Sequence, residues 1–102
     1  MYSIAEKCKK ALEAHYGIRF AGLILYGSLA RHEANPASDI DLLVLLHQPF
    51  DYFQELWTIT DVLYPVQLES ERLISAKPAA VDEFERGCLQ LYRNGKREGT
   101  RV

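Results

Sequence analysis

Leu25 to Leu46 reads LYGSLARHEANPASDIDLLVLL, and this stretch decides how the chain is understood. Its first residues close an apolar run, Ile18 to Tyr26, short enough for a largely buried strand. Gly27 and Ser28 break that run, and Leu29 to Glu33 has room for one or two helical turns. Asn35-Pro36-Ala37-Ser38 reads as a loop, because proline disfavours helix in the residue before it and Asn and Ser favour turns. Asp39 to Leu46 (DIDLLVLL) is then a second strand, apolar after its first three residues and closed by His47-Gln48-Pro49. Successive strand side chains alternate faces, so Asp39 and Asp41 point to one side, about 6.5 to 7 Å apart along the strand.

Outward from this core, Ile4, Cys8, Ala11, Leu12 and Tyr16 recur at helical spacing and Gly17 follows as a stop. Asp51 to Leu63 is a second helix, with Phe53, Leu56, Trp57, Thr60, Leu63 and Tyr64 as its apolar stripe and Pro65 at its end. Val66 to Glu69 reads as a short third strand. Val81, Phe84, Cys88, Leu91 and Tyr92 mark a last amphipathic helix that opens near Pro78 and stops at Asn94-Gly95. The expected fold class is α/β (α+β), with a small mixed sheet of three or four strands flanked by helices over residues 1–95 and a loose polar tail over 96–102.

Composition narrows the functional classes. The chain has 102 residues, 48% hydrophobic and 25% charged, as an ordinary globule does. Twelve Lys and Arg against fourteen Asp and Glu leave a formal charge of -2, which argues against a surface built to hold long nucleic acid by counterion release. Cys8 and Cys88 have no C-x-x-C spacing and read as small reduced core residues. Met1 to Lys10 lacks the apolar core of a signal peptide, and no apolar run approaches the ~20 residues needed to span a bilayer, so a cytoplasmic protein is expected. His15, His32 and His47 have no metal-ligating spacing, and Trp57, Tyr64 and Tyr92 read as packing residues.

The chemistry lies in the quoted stretch. Two carboxylates on one strand face suit Mg²⁺, which takes one or two protein carboxylates and completes its octahedron with water and phosphate oxygens. Gly27 lets the backbone approach a phosphate, and Ser28 at a helix start offers a hydroxyl and N–H groups at a positive helix end. Taken singly, each part has a plain structural reading: a Gly-Ser turn, a loop cap at Asp39, a solvated strand end at Asp41.

Gly27-Ser28, ten intervening residues and Asp39-Ile40-Asp41 together resemble the nucleotidyltransferase superfamily that includes DNA polymerase beta, most closely the minimal nucleotidyltransferases of bacteria and archaea. Ala30-Arg31 and Ser38 agree with the usual filling of that motif, whereas His32 stands where glycine is common. The resemblance implies nucleotidyl transfer with Asp39 and Asp41 holding Mg²⁺ (or Mn²⁺) at the α-phosphate of ATP, Gly27, Ser28, Arg31 and Ser38 on the nucleotide, and a hydroxyl as acceptor. It also implies a helical HEPN-domain toxin as partner, AMP transfer onto a tyrosine of that toxin, and an antitoxin role, with a homo-oligomer or hetero-oligomer as the assembly. The family commonly places a third carboxylate on the next strand. Alignment puts Gln67 at that position, with Glu69 two residues further on the same face as the substitute acid. A neutral Gln67 opens a second reading, an antitoxin that keeps the fold and acts by binding alone, and a nucleotide sensor is a third.

Overall fold

The structure is a computed structural model that describes residues 3–26 and 39–102. Gly27, Ser28, Arg31, His32, Ser38 and the short helix expected over Leu29 to Glu33 lie outside the described residues. Helix α1 (Ile4–Tyr16) starts where the Ser3 side chain accepts the N–H of Glu6 and ends at Gly17, whose φ of 59° is open to glycine without strain. A single 3-10 turn, Gly17–Arg19, leads into β1 (Phe20–Tyr26). Ile18, expected in the strand, sits in that turn and is exposed.

β2 (Ile40–Leu46) runs antiparallel to β1 and is followed by α2 (Tyr52–Glu69), β3 (Ile74–Ala80), α3 (Val81–Arg86), α4 (Gln90–Glu98) and β4 (Thr100–Arg101). The four strands form one mixed sheet in the order β3-β2-β1-β4, with β3 parallel to β2 and β4 antiparallel to β1. Parallel neighbours need a crossover, and α2 supplies it. Ile40, Leu42, Val44 and Leu46 face α1 and α2, where they pack with Leu12, Leu23, Ile59 and Leu63. Leu43 and Leu45 face the other way, onto Ile24, Ala79, Phe84 of α3 and Tyr92 of α4. Both faces of β2 are therefore dry, which explains its unbroken apolar run. Among the described residues no helix is long and apolar enough to cross a membrane.

Three expectations change. Val66 to Glu69 is not a strand but the last turn of α2, which continues through Pro65. Pro65 is exposed, so the Asp61 carbonyl that loses its N–H partner faces water, and the turn beyond is held by burial of Val66 and by the Gln67 amide. Gln67 Nε2 donates to the Arg72 carbonyl at 3.0 Å and its Oε1 accepts the Ile74 N–H at 2.7 Å, which latches the start of β3. Pro78 belongs to β3 and does not open a helix, since an edge strand tolerates a residue without an N–H. The closing helix is divided at Gly87 (φ 65°), and α4 runs on through Asn94-Gly95.

The tail 96–102 is also not loose. Lys96, Arg97 and Glu98 complete α4, Lys96 Nζ donates to the Glu85 carbonyl at 2.7 Å, Arg101 donates to the Ala21 carbonyl at 2.6 Å, and the Val102 N–H bonds the Leu23 carbonyl at 2.9 Å. Strand pairing of residues 100 and 101 covers the outer edge of β1 and gives polar residues a fixed place. Cys8 is fully buried, as expected, and burial pushes its thiol up to about 11, whereas Cys88 is exposed beside the Gly87 break. Buried Glu55 is held by the Tyr16 hydroxyl at 2.8 Å and by Arg19 at 3.3 Å.

Replacing Gln67 by Ala removes both contacts of the latch and leaves the Ile74 N–H without its partner, which is expected to cost about 1 to 3 kcal/mol in a denaturant melt. An unchanged midpoint would show that β3 is registered by its ladder with β2 alone.

Candidate active site

The open end of β2 is where the polar residues of the sheet collect. Asp39 lies just before the strand and is exposed, and Asp41, one strand repeat on, is half-buried. Asp41 shares its face with Leu43 and Leu45, so both carboxylates are on the α3 and α4 side of the sheet. In register, Asp41 lies between Tyr26 of β1 and Ser75 of β3. Lys77, two residues along β3 and opposite Leu43, is on the same face.

This placement sets the electrostatics. Burial pushes the Asp41 carboxyl above the usual carboxylate range, the neighbouring charge of Asp39 pushes it further, and Lys77 pulls it partly back. The Tyr26 hydroxyl is raised above its ordinary value by burial, then by Asp41 and Tyr52. Two like charges on one face, one of them half-buried, make a site that a bound cation relieves. The donor set is hard oxygen, and the exposed side of Asp39 leaves room for water or phosphate oxygens in the remaining positions, so the pair fits a Mg²⁺ ion. Among the described residues, no group of three His, Cys, Asp or Glu is gathered as a complete metal cage.

The sequence reading placed the third acid at Gln67 or Glu69, and the structure puts neither on a strand. Gln67 is the β3 latch. Glu69 ends α2 on the opposite, α1 side of the sheet, beside Ile40 and Leu25 in a shallow pocket, with its carboxylate 3.0 Å from Lys7 Nζ. The strand next to β2 is β3, and the residues it presents on the Asp41 face are Ser75 and Lys77. Sequence reasoning missed Lys77 and Ser75 because the third strand was assigned eight residues too early, and Tyr26, at the end of a correctly read strand, because its pairing opposite Asp41 is set only by the register of β1 with β2. The available signal was Lys77 itself, the single charge in the otherwise uncharged run ISAKPAA. Gly27, Ser28, Arg31 and Ser38 belong to the segment between β1 and β2, outside the described residues.

With this geometry in hand, the chain matches the family pattern described as "Nucleotidyltransferase domain" over residues 5–87. It is 38% identical over 71 residues to "Putative protein adenylyltransferase" of Methanocaldococcus jannaschii, covering 66% of this chain and 71% of that one. The crystal structure of a "putative nucleotidyltransferase" from Sulfolobus solfataricus superposes with a TM-score of 0.57 over 84% of this chain and 82% of that one. At 16% identity that similarity concerns the fold. A helix-flanked mixed sheet, an Asp-x-Asp pair at the mouth of its central strand and a family pattern that spans most of the sequence agree, and the chain belongs to the nucleotidyltransferase domain family as a minimal nucleotidyltransferase.

Proposed function

We propose that the protein transfers AMP from ATP to a hydroxyl group of a partner protein, in the cytoplasm. The observation that carries this reading is the placement of Asp39 and Asp41 on one face at the open start of β2, downstream of Gly27-Ser28. The name of the Methanocaldococcus jannaschii relative, a protein adenylyltransferase, supports a protein acceptor. Asp39 and Asp41 would hold Mg²⁺, which when bound supplies charge neutralisation at the α-phosphate and lowers the cost of deprotonating the acceptor hydroxyl. Gly27 and Ser28 would take the outer phosphates on backbone and hydroxyl donors, and Arg31 and Ser38 would also bind the nucleotide. Lys77 reaches over the Asp41 face from β3 and offers its ammonium group to the triphosphate, as a point charge. Attack by the acceptor oxygen on the α-phosphorus forms the new P–O bond and breaks the bond to pyrophosphate, with no covalent enzyme intermediate. The partner of this reading is a helical HEPN-domain toxin, and the protein is its antitoxin.

A second reading is favoured by one specific observation: β3 presents Ser75 and Lys77 where the family's third carboxylate is expected. Among the described residues, a site without that acid presents no carboxylate on β3 as a base for the acceptor hydroxyl, and a protein that neutralises its toxin by binding alone needs none. The two readings separate in one experiment with labelled ATP, Mg²⁺ and the HEPN protein. Transfer is expected with the parent, and Asp39→Asn or Asp41→Asn should reduce it by at least about 100-fold. No transfer by the parent, together with full toxin neutralisation by the double Asn variant, would establish the binding reading.

Lys77→Met is expected to raise the KM for ATP about 10-fold, a loss of roughly 1.4 kcal/mol of ground-state binding, with a smaller change in kcat. An unchanged KM would remove Lys77 from the nucleotide site.

Asp41 also makes a stability prediction. Its carboxyl is raised in the folded protein, so its ionised form is disfavoured by folding at neutral pH, and the favourable contribution is complete only below the ordinary carboxylate range. Metal-free Asp41→Asn should therefore melt above the parent at pH 7, and the difference should shrink as pH falls through the raised value. A variant that melts below the parent at pH 7 would contradict this electrostatic account.

A further inference from the structure

Helix α2 is apolar on two sides. Glu55, Ile59, Leu63 and Val66 face the core, yet Phe53, Trp57, Tyr64 and Leu68 on the opposite side are 60 to 72% exposed. These four and Thr60 step along the helix by four, three, four and four residues, which keeps them in one stripe. Leu73 extends the patch across a shallow apolar groove of roughly 170 Å³ between α2 and β3, also walled by Tyr64, Thr60 and Gln67. A helix apolar on both sides is one covered on both sides. From the exposures of its five large side chains, the patch amounts to about 600 Å² of apolar surface, and with its polar borders it approaches the ~800 Å² per partner of a stable interface.

We infer that the cover is a second copy of this chain, with α2 packed antiparallel on α2 about a two-fold axis at the Thr60–Asp61 peptide. The stripe is self-complementary about that point, since Phe53 and Leu68 stand equally far on either side of it, as do Trp57 and Tyr64. Each aromatic therefore meets an apolar residue of the other copy, and Trp57 is carried to the groove bordered by Tyr64 and Leu73. Thr60, at the axis, donates its hydroxyl to the Leu56 carbonyl at 2.9 Å and so leaves no unpaired polar group to bury against its copy. From residue 52 to 69 the helix has no Lys or Arg, Glu55 is in the core, Glu69 is paired with Lys7, and Asp61 borders the stripe beside Trp57 and Tyr64. The two-fold axis keeps both Asp61 side chains on the same flank of the antiparallel pair, at its exposed border, where water screens their repulsion and the contact itself is left to the apolar side chains and Thr60. An isologous interface of this kind is the usual form of a homodimer.

The full chain at about 50 µM should show by light scattering twice its 11.7 kDa mass. Trp57→Ala should weaken the dimer by at least about 30-fold while leaving the circular dichroism spectrum unchanged, because Trp57 is exposed in the single chain. In a Cys88→Ser background, Thr60→Cys should cross-link to its own copy under mild oxidation. Gln54→Cys should not, since its two copies would stand about 20 Å apart. A single-chain mass for the parent, a dimer indifferent to Trp57→Ala, or equal cross-linking by the two cysteine variants would each overturn the inference. So would a foreign protein that seats on the stripe in place of the second copy.

Discussion

Strand β2 is hydrogen bonded along both edges and covered on both faces, and the other elements take their places from that requirement. A strand dry on both sides has no polar position to spare in its interior, so its polar residues are confined to the end that opens to solvent. Asp39 and Asp41 occupy that end. The carboxylate pair is thereby fixed by the most buried element of the protein, and a site built on such a strand is held more tightly than one built on a loop. Its electrostatic strain has the same origin, since the burial that fixes Asp41 also raises its carboxyl.

The third strand shows how one residue propagates through a fold. Proline normally ends a helix, yet α2 continues past Pro65 because the lost hydrogen bond faces water while Val66 and Gln67 gain burial and two hydrogen bonds on the inner side. The extra turn moves the third strand from 66–69 to Ile74–Ala80 and exchanges the side chains that face Asp41. Gln67 and Glu69 leave the site, and Ser75 and Lys77 enter it. A cation near two carboxylates changes what the site can do. It offsets their repulsion and can hold phosphate, and it cannot act as the base that a carboxylate would be.

Helix α2 carries a different kind of surplus. Its inner face is needed for the sheet and its N-terminus is capped by the Asp51 side chain, but its outer face is apolar beyond anything the single chain requires. The same ambiguity misled the sequence reading of Trp57 and Tyr64 as core residues. Two apolar stripes on one helix give no clear period to say which of them faces inward, whereas Tyr92 on α4, whose helix is polar over Arg93 to Glu98, was correctly read as buried.

By itself the sequence determined the local order and the chemical pair. Helix α1, strands β1 and β2 and the start of α2 follow from apolar spacing and caps, because those signals are local and strong. The Asp39–Asp41 face follows from strand alternation, and the family follows from the spacing of Gly27-Ser28 to that pair. Only the tertiary structure decided what stands opposite the pair. That depends on where α2 ends, which is a competition between the proline penalty and burial of Val66 in a core shared with β2, at least twenty residues away in the chain. The polar run 96–102 was decided in the same way. Its first three residues complete α4, and Thr100 and Arg101 become a strand because β1 has an edge to be covered and the end of α4 delivers the chain beside it.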